Sequence, residues 1–163
     1  MKSGIGTCGI QVGDLQVAAI VAVNACGNVV DYETNELLAG VYDSHSGSVL
    51  KAQDVLFQQM DALRKLPEGN TTIGCFVTNA KLDKAQCTKI AGIAHNGYAR
   101  AIHPVHTMSD GDSIFVLSSG EVEVMADAVG MLATEMMAKA IKRAVLHAES
   151  AYGLPAHSDV ICK

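Results

Sequence analysis

The pattern of apolar and polar positions begins with two β-like runs, over residues 5–12 and 15–24. They flank the turn pair Gly13-Asp14, and this arrangement predicts a β-hairpin. The second run becomes continuously apolar from residue 17 to residue 23, which is typical of a strand covered on both faces. The chain is therefore predicted to open with a hairpin whose second strand lies inside a layered structure.

The remainder of the chain alternates between predicted helices and strands. The predicted elements are, in order, a polar surface segment at 31–50, a helix at 52–66 that Pro67 ends, a strand at 71–78, a helix opened by the capping-box pair Asp83 and Gln86, a loop at 103–111, a strand at 113–118, and a long final helix ended by Gly153 and Pro155. Residues 118–121 are predicted to cap this final helix, whose small apolar residues would let it lie close against a sheet. The interleaving predicts a single α/β (α+β) domain over residues 1–163.

Composition narrows the class of protein. Twelve Lys and Arg against seventeen Asp and Glu give a net charge of −5, which excludes a protein that coats nucleic acid. Apolar residues make up 49% and charged residues 18% of the chain, so a disordered chain is excluded as well. The longest apolar run, residues 17–23, is too short to span a bilayer, and no apolar leader follows Met1. A cytoplasmic location is therefore predicted.

Cysteine and histidine are common metal ligands, and cysteine can also form disulfides. The five cysteines lack CxxC spacing: Cys8, Cys26, Cys75, Cys87 and Cys162. We interpret them as free, buried thiols rather than as disulfides or metal ligands. His103 and His106 flank Pro104 and invite a zinc hypothesis, but no Cys or carboxylate motif lies at standard ligand spacing. No metal and no other cofactor is predicted.

Thr71 is the first candidate for chemistry, because it starts a predicted strand directly after a Gly-Asn turn. A threonine hydroxyl inside a chain is a poor nucleophile. Cleavage of the Asn70–Thr71 bond would give Thr71 a free α-amine with a pKa of about 8, so the residue would carry its own general base. The hydroxyl can make this cut itself by attacking the Asn70 carbonyl. The alternative is that Thr71 only favours the start of a strand.

Three further polar residues lie where a strand meets a loop, as reactive side chains often do. Asn24 ends a buried strand, and its side-chain amide is either an oxyanion donor or a simple strand cap. Asp110 and Asp112 flank Gly111. One of these carboxylates can orient an amine or hydroxyl while the other holds a proton, unless the pair is only an acidic turn.

Seven runs taken together point to one family. They are IGT at 5–7, VAVNA at 21–25, NTTIG at 70–74, TNAKLDKAQ at 78–86, AHNGYARAI at 94–102, PVHT at 104–107 and DGD at 110–112. In this order they resemble the L-aminopeptidase/D-esterase family of N-terminal-nucleophile hydrolases. That family also contains the β-peptidyl aminopeptidases and the 6-aminohexanoate-oligomer endohydrolase. The resemblance covers nearly all of the chain, which matches the later part of the family's length.

The resemblance implies a four-layer αββα sandwich, of which this chain would form a part, and assembly into a homo-oligomer. It implies a precursor that cleaves itself between Asn70 and Thr71, so that residues 1–70 end one subunit region and residues 71–163 form the next. Thr71 would then be the nucleophile and Asn24 the oxyanion-stabilising residue. Asp110 and Asp112 would orient the amine of the nucleophile. The implied substrate is a small peptide or amide with a free amine, and no nucleic acid or membrane is expected as a partner.

Two alternatives to an active hydrolase remain open. Ornithine acetyltransferase resembles this family in its threonine nucleophile and its self-cleavage, so an acyl group on Thr71 would pass to an amine instead of water. The second alternative is a truncated, inactive remnant, because the family's earlier part includes further core strands and a catalytic Tyr or Lys. The beginning of this chain, rich in glycine, is interpreted as an interior segment of the family fold.

Overall fold

The computed structural model describes residues 1–58 and 69–161. Six strands come first, and helices and strands are interleaved after them, so the chain combines sheet and helix and the predicted α/β (α+β) class is confirmed. The elements are β1 (Ile5–Val12), β2 (Leu15–Ala22), β3 (Asn28–Val30), β4 (Leu37–Ala39), β5 (Val41–Asp43), β6 (Ser48–Leu50), α1 (Ala52–Gln58), β7 (Ile73–Ala80), α2 (Lys84–Ala101), β8 (Ile102–His103), β9 (Ser113–Val122), α3 (Ala126–Leu146) and α4 (His157–Val160).

The main sheet has four strands in the order β1-β2-β7-β9. Its first two strands form the predicted hairpin, with Val12 opposite Leu15 and Gly13 in the left-handed conformation (φ 59°) that a tight turn requires. β7 pairs antiparallel with β2 and parallel with β9. α2 connects the two parallel strands and begins with the predicted capping box, in which Asp83 and Gln86 bond each other's backbone.

Two long helices, α2 and α3, pack on one face of this sheet. We call this the covered face; its strand residues include Val17, Ala19, Val21 and Phe76, all of them buried. Small residues allow the close approach. A Cβ on Gly6 would collide with the backbone of Ala140 and Ala144 in α3, so a larger residue at this position would push the helix away from the sheet.

The opposite face of the sheet is exposed to solvent in the described residues. We call it the open face; its strand residues include Ile20, Ile73, Val77, Phe115 and Leu117, which are 42–60% exposed. The prediction that β2 is covered on both faces is wrong for this chain, because buried and exposed residues alternate along it. The physical reason is that α2 and α3 lie on the same side, and the described part of the chain holds no second layer.

Two further predictions are corrected by strand pairing. The segment 31–50 is not only surface, since it contains β4, β5 and β6, and Leu38 is buried in the core. Residues 118–121 do not cap the final helix, because they lie in β9, where Ala80 pairs with Val122. α3 begins after Met125, which makes no side-chain capping hydrogen bond. Both corrections arise from partners that lie far away in the sequence.

The remaining boundaries differ from their predictions by smaller amounts. The helix predicted at 52–66 begins as α1, and residues 59–66 lie outside the described residues. The final helix ends at Leu146, before Gly153 and Pro155. The described cysteines Cys8, Cys26, Cys75 and Cys87 are free thiols as predicted, but only Cys8 among them is buried, and the other three are half-buried. No helix in the ranges 1–58 and 69–161 is both long and apolar enough to cross a membrane.

Candidate active site

The predicted site residues meet at one end of the main sheet. Because β7 and β9 are parallel, the segments that precede them lie side by side, and Asn70 forms an isolated bridge with Asp110. β2 is antiparallel to β7, so the segment after β2 lies beside the segment before β7. There the Thr71 amide donates a hydrogen bond of 2.9 Å to the main-chain oxygen of Asn24. Sheet topology therefore brings three separate sequence segments to a single junction.

The Thr71 hydroxyl lies against the peptide bond that the resemblance marks for cleavage. Its Oγ1 donates a hydrogen bond of 2.6 Å to the carbonyl oxygen of Asn70. The Gly111 amide donates to the same oxygen at 3.1 Å. Two donors on one carbonyl oxygen draw electron density away from its carbon, which makes that carbon more susceptible to nucleophilic attack.

Gly111 is a site residue that sequence reasoning did not single out. A Cβ at this position would lie 2.7 Å from Oγ1 of Thr71, so a larger residue would displace the hydroxyl or the loop. Gly111 acts through its backbone amide, which donates to the Asn70 carbonyl oxygen, and every residue type except proline has such an amide. The available signal was its place between Asp110 and Asp112, because a glycine there lets the backbone approach closely.

The Asn24 side chain also reaches the junction. Its Nδ2 donates a hydrogen bond of 3.2 Å to the carbonyl oxygen of Gly69, one peptide away from the Asn70 carbonyl. The side chain itself is exposed. Asn24 thus holds the chain on either side of the Asn70–Thr71 bond, with its side chain on Gly69 and its main-chain oxygen on Thr71.

The two carboxylates make different contacts. Asp110 Oδ2 accepts hydrogen bonds from the Thr107 amide at 2.8 Å and from the Thr107 hydroxyl at 2.9 Å, which close the loop before β9. Asp112 Oδ1 accepts a hydrogen bond of 2.8 Å from the Thr72 amide. In the uncleaved chain the Thr71 nitrogen is therefore bonded to Asn24, and the nearest carboxylate contact is one residue further on. The roles assigned to Asp110 and Asp112 stay predictions.

The faces of the sheet extend into the site. Asn24, Thr71 and Ile73 lie on the side of the open face, where they line a cleft of about 440 Å³ together with residues of the chain's first segment and of the 152–154 turn. Thr72 is fully buried on the side of the covered face. Cys26 lies beside the junction, where burial and then the Asp110 carboxylate raise its thiol pKa, while a hydrogen bond with the Asn70 side chain lowers it.

The histidines of the zinc hypothesis point to different partners. His103 Nε2 lies 3.2 Å from the main-chain oxygen of Ala99, whereas His106 Nε2 lies 3.0 Å from Nδ1 of His95. Within residues 1–58 and 69–161, no three His, Cys, Asp or Glu side chains converge on a point where a metal ion would fit.

Comparison with solved structures defines the fold class first. The chain superposes on an L-aminopeptidase/D-Ala-esterase/amidase from Ochrobactrum anthropi with a TM-score of 0.63, at 17% identity, over 97% of this chain and 46% of that one. A β-aminopeptidase from Burkholderia sp. matches with a TM-score of 0.55, at 23% identity, over 88% of this chain and 42% of that one. The first of these structures is described as a variant of the N-terminal-nucleophile hydrolase fold, and this chain shares that fold.

Sequence comparison then gives the family. Residues 1–158 match peptidase family S58, and the chain belongs to this family. An uncharacterized aminopeptidase of Mycobacterium tuberculosis is 36% identical over 98% of this chain and 52% of its own length. The 6-aminohexanoate-oligomer endohydrolase of Paenarthrobacter ureafaciens is 29% identical over 87% of this chain and 44% of its own length. The resemblance drawn from the seven sequence runs is confirmed, and the chain spans about half the length of the curated relatives it matches.

Proposed function

We propose that this chain is the nucleophile-bearing part of an amidohydrolase that cleaves itself at Asn70–Thr71 and then hydrolyses amide bonds through an acyl group on Thr71. The observation that carries the proposal is the position of the Thr71 hydroxyl, 2.6 Å from the Asn70 carbonyl oxygen. Membership of peptidase family S58 supports the reaction class.

Self-cleavage needs no group from outside the chain except water. Thr71 Oγ1 forms a bond to the Asn70 carbonyl carbon, the bond from that carbon to the Thr71 nitrogen breaks, and the hydroxyl proton passes to the departing amine. Water then hydrolyses the ester, which restores the hydroxyl and leaves a carboxylate on Asn70. The Gly111 amide, 3.1 Å from the Asn70 oxygen, is in place to stabilise the negative charge that develops there.

The same groups serve the substrate after cleavage. The departing Asn70 frees the position next to the Gly111 amide, where the substrate carbonyl would bind. The new α-amine of Thr71 would accept the proton of its own hydroxyl during attack. The Asn24 side chain, which in the uncleaved chain is bonded to Gly69, would become the second oxyanion donor. Asp110 and Asp112 would orient the amine.

The substrate class follows from the family and remains part of the proposal. Relatives are named as an aminopeptidase and as an endohydrolase of 6-aminohexanoate oligomers, and both names describe hydrolysis of amide bonds. We propose small peptides or amides with a free amine as substrates, with no cofactor used. We also propose that the active form is a homo-oligomer.

Denaturing mass spectrometry tests the self-cleavage. The expected pieces end at Asn70 and begin at Thr71. Thr71→Ala removes the attacking hydroxyl and should leave the chain intact, whereas Thr71→Ser keeps the hydroxyl and should retain part of the cleavage. Thr88→Ala, which changes an exposed threonine on α2, is the matched control and should cleave like the parent. An intact parent chain after prolonged incubation would contradict self-cleavage and support the remnant hypothesis.

Hydrolysis of an aminoacyl amide tests turnover. The rate should rise with pH over roughly pH 7–9, because the α-amine must be neutral to accept a proton. Asn24→Ala should slow the reaction by about 100-fold to 1,000-fold if the side chain stabilises the oxyanion. Thr71→Ala should abolish it. If the acyl group appears on a second amino acid with no net hydrolysis, the chain is an acyl transferase instead.

A further inference from the structure

The parallel strands β7 and β9 begin side by side next to the Asn70–Thr71 bond, and one buried side chain reaches both of them. This side chain is Tyr98 in α2, the helix that connects the two strands. Its hydroxyl lies 3.5 Å from the carbonyl oxygen of Thr72 and 3.4 Å from the carbonyl oxygen of Ser113. Thr72 directly precedes β7 and Ser113 begins β9, so a single hydroxyl contacts both strand beginnings.

The two contacts of the Tyr98 hydroxyl share one proton. A hydroxyl usually lies about 2.7–2.8 Å from a single acceptor, so two longer and nearly equal distances indicate a hydrogen bond divided between two carbonyl oxygens. Burial, and then the Asp112 carboxylate, raise the pKa of Tyr98, so the hydroxyl keeps its proton. The Ser113 amide donates a hydrogen bond of 3.0 Å to the Thr72 carbonyl oxygen, and the shared proton reinforces this contact between the strands.

The packing around Tyr98 fixes the position of its hydroxyl. The residue is fully buried, and the His95 and His106 rings lie against it with centroids 5.3 Å and 6.4 Å away. On β7, Gly74 leaves the space that the hydroxyl occupies, because a Cβ at this position would lie 2.6 Å from the hydroxyl oxygen. The contact with both strands therefore requires the tyrosine on α2 and the glycine on β7.

The strand beginnings carry the groups of the proposed cleavage. Thr71 lies one residue before Thr72, and Gly111 lies two residues before Ser113. The Gly111 amide reaches the Asn70 carbonyl oxygen, at 3.1 Å, only while the two segments keep their separation. A displacement of about 1 Å at a reacting group can lower a rate by about 100-fold. A contact that fixes the separation of β7 and β9 thus bears directly on the proposed reaction.

We propose that Tyr98 is a positioning residue: its hydroxyl holds the beginnings of β7 and β9 together and so keeps the Gly111 amide on the carbonyl oxygen of Asn70. The inference rests on the proposed function, because the peptide bond that it positions is the one proposed to be cleaved. Tyr98 is fully buried and is not among the residues that line the cleft beside Thr71, so it acts through the strands and not on the substrate.

Amide hydrogen exchange tests the contact without relying on activity. It is measured in the Thr71→Ala chain, which lacks the attacking hydroxyl and should stay uncleaved. Tyr98→Phe keeps the ring and removes the shared proton, so exchange at the Ser113 and Gly111 amides should become about fivefold to tenfold faster. The Lys81 amide bonds β9 at the far end of the same strand pair and should keep its rate. An equal rise at Lys81 would indicate general loosening and would overturn the proposal.

The rate of self-cleavage gives the second measurement, in chains that keep Thr71. Tyr98→Phe should cleave about fivefold to tenfold more slowly. Tyr32→Phe is the matched control, because it removes a half-buried tyrosine hydroxyl that donates a hydrogen bond of 2.9 Å to Glu135, and it should cleave like the parent. Replacement of Tyr98 by p-aminophenylalanine supplies two N–H donors, one for each carbonyl oxygen, and should restore the rate. In turnover kcat should fall while KM stays unchanged.

Gly74→Ala tests the position of the hydroxyl from the opposite side of the contact. Its Cβ would displace the Tyr98 hydroxyl from the two carbonyl oxygens, so cleavage should slow as it does in Tyr98→Phe. The other close atom is the Met137 sulfur, at 3.1 Å, which belongs to a flexible side chain. In the Tyr98→Phe chain the colliding hydroxyl is gone, so adding Gly74→Ala should change the rate little. Fully additive losses would contradict the proposal.

The two readouts separate this inference from the proposed function. If the parent chain never cleaves while Tyr98→Phe speeds exchange at Gly111 and Ser113 alone, the proposed function is wrong and the positioning role of Tyr98 stands. If the parent cleaves and Tyr98→Phe cleaves equally fast, the positioning role is wrong and the proposed function stands. Unchanged exchange at both amides in a folded Tyr98→Phe chain would also overturn the positioning role.

Discussion

Both faces of the main sheet bear apolar side chains, but those on the covered face are buried and those on the open face are exposed to solvent. Phe76 and Phe115 lie on neighbouring parallel strands, yet Phe76 is fully buried against the helices and Phe115 is 60% exposed on the open face. The difference extends into the site. Thr71, the proposed nucleophile, and Asn24 lie on the side of the open face, whereas Thr72 is buried on the covered side.

The covered face provides the packed core, and the open face provides the accessible cleft beside Thr71. On the covered face the strands pack against α2 and α3, and Thr72 is fully buried there. On the open face the cleft beside Thr71 stays accessible. Contiguous exposed apolar residues on a sheet normally mark a surface that packs against something else. The four-layer fold implied by the resemblance would place a second sheet there. Matched substitutions on the two faces, compared by their effects on stability and self-association, test whether the open face is free of packing contacts.

The largest expected effect is that of Phe76→Ala. This change leaves a cavity in a fully buried site and should lower the free energy of unfolding by about 3–5 kcal/mol. Phe115→Ala is the matched control and should change it by less than about 0.5 kcal/mol, because its ring is mostly in water. Urea unfolding of both variants measures the two values. Equal losses would mean that the open face is covered in solution.

Glycine substitutions in β1 test the same contrast without removing a side chain. Gly6→Ala should lower the unfolding free energy by about 1–3 kcal/mol, because its Cβ would collide with the backbone of α3. Gly9 lies in the same strand but faces the open side, where its Cβ would contact Val17 O at 3.2 Å and the Ala18 side chain at 3.3 Å. Gly9→Ala should therefore lower the unfolding free energy much less. Thermal unfolding of both variants measures the difference, and a larger loss at Gly9 would contradict the assignment of Gly6 to the packed face.

The pH dependence of stability tests whether the Asp112 carboxyl group has a raised pKa in the folded chain. Burial raises the pKa of Asp112 above 3.8, so the folded state binds this proton more tightly than the unfolded chain. The contribution of Asp112 to stability is therefore lost as pH rises through its folded pKa. Asp112→Asn lacks this loss and still offers an oxygen to the Thr72 amide, so its stability relative to the parent should increase from pH 4 towards neutral. A difference independent of pH would show that Asp112 titrates as in the unfolded chain.

The smallest effect on stability is expected from polar substitutions on the open face. Ile20→Ser and Phe115→Ser replace side chains that are 45% and 60% exposed, so unfolding should change little while self-association at high concentration decreases. Met131→Ser, which changes a 74% exposed residue on α3, controls for the loss of any exposed apolar group. Light scattering at increasing concentration measures the association. A decrease as large in Met131→Ser would show that the open face has no special role.

Features set by near neighbours in the sequence could be predicted correctly. The hairpin depends on Gly13-Asp14 and two flanking runs, and the start of α2 depends on Asp83 and Gln86, three residues apart. The candidate site residues Asn24 and Thr71 could also be singled out, because amides and hydroxyls at strand ends are chemically suggestive. In the structure these two residues are in direct contact.

Features set by distant partners could not be predicted. An apolar run such as β2 has the same sequence pattern whether one or both of its faces are covered, and only the positions of α2 and α3 decide which. The extension of β9 to Val122 depends on pairing with β7.

By itself the sequence determined the family and the order of most strands and helices, and it singled out a set of candidate residues for amide chemistry. Only the tertiary structure decided that Gly111 donates its amide to the Asn70 oxygen and that His95 meets His106. The physical reason is that a backbone amide has no residue type to reveal it. The contact between His95 in α2 and His106 in the loop before β9 likewise depends on the folded positions of these two elements, which the sequence order does not show.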